Sequence, residues 1–311
     1  MRSCKLTVFT PTYNRAYILP QLYASLQRQR FTDFEWLVVD DGSTDQTSQL
    51  FSKWITEEKP FTIRYIYQPN GGKHRAVNHG LKQAYGEYFM VMDSDDYLTD
   101  EALEKIAAWL DTISTETQII GITANKGTSS TETPNALFTQ PFLDKSLLEM
   151  NTFEQDGKKV LAGERVMVFR TDVHLKYLYP EYDGEKFLTE AVAYNRMAHD
   201  GYIMRFYNDI IWIYEYQEDG LTRAGNSIFL RNPRGYGLWR REEAVFLHKP
   251  ILSRLFMYYS FTCELSHLYD AVTIAQCIGV SEHVIRMAKH LHRIMNILNR
   301  LLHNDRKQSR G

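Results

Sequence analysis

The first hundred residues alternate short apolar runs with stretches of helical spacing, and this alternation limits the fold more than any other feature of the sequence. The apolar runs occupy residues 6–10, 36–39, 63–67 and 88–92. Each run ends in a cluster of Pro, Asn, Asp or Gly, and Leu19, Leu22 and Leu26 recur at helical spacing after the first. Strand, loop and helix repeated in this order predict an α/β fold with a largely parallel sheet. Such sheets bind ligands at the carboxyl ends of their strands, where these polar clusters fall.

The rest of the chain is less regular until its helical end. Residues 112–159 contain Ser, Thr and Asn clusters that indicate long loops. We expect a strand at 165–170, a helix at 186–199 and strands at 202–207 and 210–214. Beyond about residue 235 there are few turn signals, and helix is predicted.

Composition excludes several classes of protein. With 311 residues, 44% of them hydrophobic, the chain can bury a large core and is not disordered. Its 36 Lys and Arg nearly balance 38 Asp and Glu, so no overall charge favours nucleic acid as a partner. Cys4, Cys263 and Cys277 are far apart and odd in number, which indicates reduced thiols in the cytoplasm. No run of about 18 apolar residues predicts a membrane-spanning helix.

The C-terminal residues carry the clearest periodic pattern. A heptad seam is formed by Val280, Val284, Met287, Leu291, Ile294, Leu298 and Leu301. Residues 281–311 contain seven Lys and Arg against two acids. Two interpretations stay open for the predicted helix at 280–302. It packs on its own domain, or it associates with a partner helix, a second copy or an anionic membrane surface.

Three carboxylates fall within four residues at the end of the fourth apolar run, where Asp93, Asp95 and Asp96 surround Ser94. Clustered carboxylates repel one another unless a cation compensates their charge. A divalent ion shared with a diphosphate would do so, because Mg²⁺ commonly takes one or two carboxylates together with phosphate oxygens. The alternative is an acidic loop that caps the following helix, and the motif taken alone favours that alternative.

Three more polar clusters follow strands. Asp41, after the second strand, could accept hydrogen bonds from a base or a ribose, or could belong to a capped turn. Tyr13 offers an aromatic face after the first strand. After the third strand, Gly71 and Gly72 allow close backbone approach and Lys73 provides a cation for phosphate. All four polar clusters are predicted at the same edge of the sheet. They therefore indicate one ligand site rather than four unrelated turns.

Residues 6–110 resemble the nucleotide-binding half of family 2 glycosyltransferases, which share the GT-A fold. The matching stretches are Thr10-Pro-Thr-Tyr-Asn-Arg15, residues 34–45, Asn70-Gly-Gly-Lys73, Asn78, residues 86–89 and Asp93-Ser-Asp-Asp96. The match continues more loosely to about residue 222. The resemblance implies a Rossmann-like GT-A domain at 1–225, with a nucleotide-binding half at 1–110 and an acceptor half at 111–225. A helical C-terminal region would follow at 226–311.

The resemblance also implies roles for single residues. The nucleotide-sugar contacts would be Thr10, Pro11, Tyr13, Asp41, Lys73, Asn78, Asp93 and Ser94. The first three of these would surround the nucleobase, and Asp41 would contact uracil. Asp93 and Asp95 match the two acids of the DxD motif, one facing the ribose and one binding Mn²⁺ or Mg²⁺, and Asp96 is a further metal ligand. Members of the family commonly use UDP-sugars, and most invert the anomeric centre.

An inverting transfer needs one base to accept the proton of the acceptor hydroxyl. The family places this base in an acidic pair on a helix past the middle of the chain. Glu190 matches the first acid of that pair, and Ala191 replaces the second. Glu190 is therefore the candidate base, with Glu185 and Asp183 as substitutes. The alternative is that Glu190 caps or salt-bridges its helix.

A second departure from the family concerns the metal. Relatives often carry a histidine in a late loop near the metal, and Gln217 stands in its place. Glu218, Asp219 or water would then complete the coordination.

The leading hypothesis is a metal-dependent inverting glycosyltransferase that moves a sugar from a UDP-sugar to a glycan or lipid-linked glycan of a bacterial surface polysaccharide. It would be cytoplasmic and peripheral on the inner face of the cell membrane. Ala191 keeps open a non-catalytic nucleotide-sugar-binding protein. A sugar nucleotidyltransferase is a further alternative, disfavoured because the N-terminal segment lacks a glycine-rich, basic phosphate loop.

Overall fold

The computed structural model describes residues 4–215, 217 and 225–290. Contacts divide them into two compact units. The first takes residues 4–181 with the described residues of 193–217, and the second takes 182–192 with 225–290. The domain boundaries predicted from the sequence stay predictions.

A nine-stranded mixed sheet forms the centre of the first unit within the described residues. Its strands are β1 (Cys4–Thr12), β2 (Phe34–Asp40), β3 (Thr62–Tyr67), β4 (Gly86–Val91), β5 (Tyr97–Leu98), β6 (Ile119–Gly127), β7 (Leu143–Lys145), β8 (Arg165–Arg170) and β9 (Ile203–Ile213). They lie in the order β3-β2-β1-β4-β8-β6-β9-β5, and β7 pairs with β9. The first four are mutually parallel, as are β6 and β9, and the other pairs are antiparallel. The predicted α/β class is confirmed.

Helices cover the sheet because their apolar residues recur on one side. Those of the first unit are α1 (Leu19–Gln27), α2 (Thr47–Thr56), α3 (Lys73–Gln83), α4 (Ala102–Asp111), α5 (Thr171–His174) and most of α6 (Ala191–His199). In α1 the residues Leu19, Leu22 and Leu26 are fully buried, as their spacing predicts. In α3, a Cβ on Gly80 would lie 2.1 Å from the Phe9 ring, so glycine lets this helix approach β1 closely.

Two expectations about local structure are wrong. Residues 112–159 are not all loop, because β6 crosses the core there. Its Gly121 lies against the backbone of Val168, and its Asn125 side chain is satisfied by Asn135 and by the Asn208 carbonyl. The helix expected from residue 186 begins only at Ala191, since the side chain of Asn232 accepts hydrogen bonds from two backbone N–H groups, at 186 and 187.

The second unit is helical in its described part from residue 226 onward. Its helices are α7 (Asn226–Leu230), α8 (Pro233–Phe246), α9 (Ile251–Leu265), α10 (Ala271–Ile278) and the helical segment 282–290. Asp270 caps α10 by accepting a hydrogen bond from the Thr273 N–H at 2.7 Å, and Gly279 ends it with a φ of 72°. No helix in this range or elsewhere in the described chain is long and apolar enough to cross a bilayer.

The predicted heptad seam is only partly described. Ile285 and Ala288 of segment 282–290 are buried, and Ile285 joins the core of the second unit. Met287, a seam residue, is 55% exposed, and Val284 is half-buried. Val280, the first seam residue, packs against the same core, so the described part of the seam is used only in part. Leu291, Ile294, Leu298 and Leu301 lie outside the described residues, so both interpretations of the tail stay predictions.

Candidate active site

The ends of the parallel strands are tied together at one edge of the sheet. The Met92 N–H donates to the Phe9 carbonyl at 2.7 Å, and the Asp41 N–H donates to the Thr12 carbonyl at 2.8 Å. Beyond the strands, the Asn14 N–H donates to Ser43 Oγ at 2.8 Å. The loops that follow β1, β2 and β4 therefore meet, as parallel strand order requires.

Asp41 organises the loop that follows β3. Its carboxylate accepts hydrogen bonds from the N–H groups of Gly71 at 2.8 Å and Gly72 at 2.7 Å. It also accepts from the side-chain amides of Gln68 and Asn70, and it is buried. Gly72 has a φ of 96°, which disfavours any residue with a Cβ. Asp41 thus shapes the glycine turn that leads into α3, and its predicted contact with uracil stays a prediction.

The Asp93–Asp96 cluster meets two lysines. Lys73, the first residue of α3, places Nζ 2.6 Å from Asp93 Oδ1. Lys126, on β6, places Nζ 3.6 Å from Asp93 Oδ2 and 3.5 Å from Asp96 Oδ2. Trp212 Nε1 donates to Asp96 Oδ2 at 2.6 Å. The ammonium groups of Lys73 and Lys126 therefore compensate negative charge in the acidic cluster.

The three acids have different electrostatic surroundings. Burial would raise the pKa of Asp93, but Lys73 and Lys126 outweigh it and hold this pKa below its usual range. Burial raises the pKa of Asp96 although Lys126 opposes the shift. Burial and the charge of Asp93 raise the pKa of Asp95. Asp93 is therefore the acid most firmly held ionised, whereas the pKa values of Asp95 and Asp96 are both raised, that of Asp96 to about 7.

These residues fit a divalent cation shared with a diphosphate. Within the described residues, the Asp95 carboxylate receives no side-chain hydrogen bond or ion pair, so its oxygens are available as ligands. No three His, Cys, Asp or Glu side chains in the described part of the chain are grouped so that they could hold a metal. Mg²⁺ commonly needs only one or two carboxylates when phosphate oxygens complete the shell. Asp95 with Asp93 meets that requirement.

The remaining predicted nucleotide contacts differ in exposure. Thr10 is fully buried, and its hydroxyl accepts a hydrogen bond from Trp36 Nε1 at 3.0 Å. Pro11 is half-buried, Tyr13 is 49% exposed, and Ser94 is buried. The structure thus leaves Tyr13 the most open of these side chains, and their contacts with a nucleobase stay predictions.

Asn78 links α3 to a later segment of the first unit. Its amide donates to the Tyr179 carbonyl at 2.8 Å and to Glu181 Oε1 at 2.9 Å, and its Oδ1 accepts from the Tyr179 N–H at 2.8 Å. All of its usual hydrogen-bonding groups are engaged with residues 179–181. Its predicted place in the nucleotide-sugar cleft stays untested.

The three candidate bases belong to the second unit. Glu185 is buried, and its carboxylate accepts hydrogen bonds from the N–H groups of Arg234 at 2.8 Å and Gly235 at 2.9 Å. It therefore caps the N-terminus of α8, where a negative charge is favourable. Asp183 is exposed, and Glu190 is half-buried directly before α6. Glu185 thus has a structural role at the start of α8.

The loop expected near the metal is described at one position. Gln217 Nε2 donates to the Glu215 carbonyl at 3.4 Å. Glu218 and Asp219, the proposed substitutes for the histidine of relatives, lie outside the described residues.

Sequence reasoning missed Lys126 and Trp212. Lys126 falls in the stretch 112–159, where the sequence indicates long loops, and Trp212 falls in the apolar strand predicted at 210–214. The two are register partners on the parallel strands β6 and β9. Lys126 Nζ lies 4.2 Å from the centre of the Trp212 ring, within cation–π distance. A lone lysine within an apolar, strand-like run was the one available signal.

The site thus combines clustered acids with two lysines at the carboxyl edge of the parallel strands. The family model of "Glycosyl transferase family 2" matches residues 7–178. The chain therefore belongs to glycosyl transferase family 2.

Two curated relatives illustrate the extent of sequence similarity. Poly(ribitol-phosphate) beta-N-acetylglucosaminyltransferase TarS of Staphylococcus aureus is 35% identical over 146 residues, which cover 46% of this chain and 25% of TarS. An uncharacterized glycosyltransferase of Mycoplasma pneumoniae is 39% identical over 107 residues, covering 33% of this chain and 35% of the relative. The chain thus spans about a quarter to a third of the length of these relatives.

Solved structures agree on the fold. Staphylococcus aureus TarS in complex with UDP-GlcNAc superposes with a TM-score of 0.54 at 20% identity, covering 93% of this chain and 91% of that one. A mannosyltransferase of Pyrobaculum calidifontis in complex with GDP-Man and Mn²⁺ gives 0.53 at 16% identity, covering 95% and 80%. The predicted GT-A fold is confirmed.

Proposed function

We propose that this chain is a metal-dependent inverting glycosyltransferase that transfers a sugar from a UDP-sugar to a glycan or lipid-linked glycan in surface polysaccharide synthesis. The observation that carries the proposal is the meeting of Asp93, Asp95 and Asp96 with Lys73 and Lys126 at the carboxyl edge of the sheet. A UDP-sugar is supported by the TarS complex with UDP-GlcNAc, and a polymeric acceptor by the name of TarS. A metal is supported by the Mn²⁺ in the mannosyltransferase complex.

The nucleotide would bind over the loops that follow β1, β2 and β3. Tyr13 would contact the base, and the turn that Asp41 holds would bring backbone and Lys73 to the diphosphate. Mn²⁺ or Mg²⁺, held by Asp95 and Asp93, would neutralise charge on the leaving diphosphate. Asp96 remains a further ligand candidate, although Lys126 and Trp212 already engage it.

The transfer would be one in-line displacement. The Glu190 carboxylate would accept the proton of the acceptor hydroxyl while that oxygen forms a bond to the anomeric carbon. The bond from that carbon to the diphosphate oxygen breaks at the same time, and UDP leaves with the bonding electrons. The assignment of Glu190 rests on its match to the family position, and it is supported because Glu185 is engaged at α8.

A donor screen tests the proposal. Release of UDP from a panel of UDP-sugars, with Mn²⁺ or Mg²⁺ and a glycan acceptor, is expected for at least one donor. GDP-mannose is tested separately, with release of GDP as the readout, because one structural neighbour binds it. Release of pyrophosphate from UTP and a sugar phosphate would instead indicate a nucleotidyltransferase.

Ala191 favours a second candidate, a non-catalytic nucleotide-sugar-binding protein. A position where the family often has its base carries a methyl group here. Calorimetric binding of UDP-sugars with no turnover of any donor, under conditions that support a TarS control, would select this candidate.

The cellular place that suits such an enzyme is the inner face of the cell membrane, where nucleotide sugars are made. Residues 281–311 contain seven Lys and Arg against two acids, and this basic excess supports a peripheral contact with anionic lipid. A partner helix on the same residues is the competing use of this segment.

A further inference from the structure

The helix α9 is apolar on two sides. It has only two charged side chains, Arg254 and Glu264, among its fifteen residues. Met257, Phe261 and Leu265 are buried in the core of the second unit. A helix on a protein surface normally has one apolar stripe and a polar opposite face.

The second apolar side is exposed. Ile251 is 75% exposed, Leu252 76%, Leu255 50% and Phe256 70%. At 100° per residue these four cover an arc of about 140°, on the side away from Met257 and Phe261. We name these four residues the α9 outer face.

The α9 outer face differs from other exposed apolar residues of the chain. Single exposed apolar side chains are normal in soluble proteins. Ile55 and Leu137, at 46% and 56% exposure, are such isolated cases in the first unit. Four large side chains within six consecutive positions form a contiguous patch, and such patches mark protein or membrane contacts.

The charge around α9 favours a membrane over a protein as the partner of the α9 outer face. From Ala244 to Cys263 there is no acidic residue, whereas Lys249 and Arg254 are basic. Lys249 pairs with Glu243, and Arg254 donates to the Lys249 carbonyl, so both cations are held at the start of α9. Residues 225–311 contain thirteen Lys and Arg against six Asp and Glu, although the whole chain carries a net charge of −2. Within the described residues 225–290 eight Lys and Arg outnumber five Asp and Glu, and the stretch from Ala244 to Cys263 carries only basic charge. The same stretch of a second copy would bring like charge to this surface, whereas anionic lipid would be attracted.

We propose that the α9 outer face is a docking surface for an anionic lipid bilayer. Ile251, Leu252, Leu255 and Phe256 lie at the boundary of head groups and acyl chains, with α9 in the plane of the membrane. Lys249 and Arg254 lie near the lipid phosphates. Interfacial helices bury an apolar face about 5–10 Å deep and gain affinity from anionic lipid in this way. The proposal uses none of residues 281–311 and none of the residues assigned to the transfer, so it goes beyond the proposed function.

Vesicle flotation of the full chain tests the proposal. The protein is expected to float with vesicles of equal parts phosphatidylglycerol and phosphatidylcholine, and much less with phosphatidylcholine alone. A Leu252→Ser, Phe256→Ser variant should lose about tenfold or more in binding, because two large apolar side chains no longer enter the lipid. The matched control, Ile55→Ser with Leu137→Ser, should float like the wild type.

Two further measurements show whether a loss of flotation reflects lost membrane contact or a misfolded variant. Circular dichroism should show that the double variant folds, since its changed side chains are exposed, and UDP binding should be unchanged. UDP binding also separates this proposal from the proposed function, because either can fail alone. Absence of flotation with anionic vesicles, equal flotation on neutral ones, or equal flotation of the double variant would overturn the proposal. A wild-type dimer in light scattering that the double variant loses would assign the face to a second copy instead.

Discussion

Lys126 and Trp212 are register partners on β6 and β9, and together they hold the carboxylate of Asp96. The lysine Nζ lies 3.5 Å from Asp96 Oδ2, and Trp212 Nε1 donates to the same oxygen at 2.6 Å. Lys126 also lies 4.2 Å from the centre of the indole ring, a contact of about 2 kcal/mol when desolvated. Asp96 is therefore fixed by the chain itself, whereas Asp95 receives no comparable support from described side chains.

The variant Lys126→Met should make the protein depend on a divalent cation for stability. Without added metal, its free energy of unfolding should fall by on the order of 3 kcal/mol, because a buried carboxylate loses its partner. Added Mn²⁺ with UDP should restore more stability to this variant than to the wild type, since a cation replaces the missing charge. Urea unfolding with EDTA or with Mn²⁺ and UDP measures both effects.

Two variants control this experiment. Lys126→Arg keeps the charge and should remain near wild-type stability. Lys105→Met removes an exposed ion pair with Asp209 and should cost at most about 1 kcal/mol, with no response to Mn²⁺. An equal loss for Lys126→Met under both conditions would contradict the role of Lys126 as the cation of the acidic cluster.

Asp41→Asn should damage the glycine turn more than its small chemical change suggests. Gly71 and Gly72 donate to different oxygens of the native carboxylate, and an Asn side chain replaces one of these oxygens with an NH2 group that cannot accept a hydrogen bond. One buried N–H left without a partner costs about 1–3 kcal/mol. Urea unfolding should show that loss, and calorimetry should show weaker binding of UDP.

A matched control for Asp41→Asn is Asp45→Asn, which also lies in the loop after β2 but accepts hydrogen bonds from Thr47 and from the Ala16 N–H instead. It should leave UDP binding closer to that of the wild type. Unchanged UDP binding in Asp41→Asn would remove the turn from the nucleotide site.

The sequence predicts the first half of the fold well because its signals there are local. An apolar run followed by Asp or Gly specifies a strand and its polar end within a few residues, as at Asp41 and Asp93. Convergence of these ends then follows from parallel strand order. The family motifs fall on these same loops, so the resemblance and the geometry select the same edge of the sheet.

The rest depends on contacts that are distant in sequence. Nothing near Lys126 shows that β6 lies between β8 and β9, since that order is set by packing. Gly and Asn are typical of loops, but Gly121 and Asn125 lie in β6. Gly121 permits close approach of the Val168 backbone, and the side-chain oxygen of Asn125 accepts a hydrogen bond from Asn135. The cap that Glu185 provides for α8 joins residues about fifty positions apart. Contacts between residues this distant in sequence decide whether an acidic side chain has a structural or a catalytic role.

Asp95→Asn should separate metal binding from folding. Burial and Asp93 raise the pKa of Asp95, so removing its charge should not lower stability in the absence of metal. Metal-dependent UDP binding should weaken by at least the roughly tenfold that loss of an outer-shell partner costs a metal site. Calorimetry with UDP and Mn²⁺ measures this, and Glu104→Gln, on the exposed side of α4, is the control. Loss of stability without loss of Mn²⁺-dependent UDP binding would make Asp95 structural.

Glu190→Gln and Glu185→Gln should have opposite effects. The first should keep UDP binding but abolish transfer if Glu190 is the base. The second should keep transfer but lower the free energy of unfolding by about 1 kcal/mol, because a neutral amide is a poorer partner for the N-terminus of α8. Turnover and urea unfolding of both variants give the comparison, and Asp183→Asn serves as the third arm. Transfer that survives in Glu190→Gln but not in Asp183→Asn would move the base to Asp183.

His174 should make the first unit sensitive to acid. The residue is fully buried among aromatic rings including Phe89 and Phe169, and neither ring nitrogen has a hydrogen-bond partner in the described chain. Burial lowers its pKa from 6.5 to about 3. Between these values the unfolded chain binds a proton that the native state does not, so stability falls as pH falls, by up to about 1.4 kcal/mol per pH unit.

The variant His174→Phe should remove this contribution. Its free energy of unfolding should equal or exceed that of the wild type at pH 8, because a buried polar group without partners is replaced by an apolar ring. On going from pH 6.5 to pH 4 it should lose less stability than the wild type. His283→Gln, a change at an exposed histidine, should follow the wild-type curve. Parallel pH curves for His174→Phe and the wild type would show that acid sensitivity has another source.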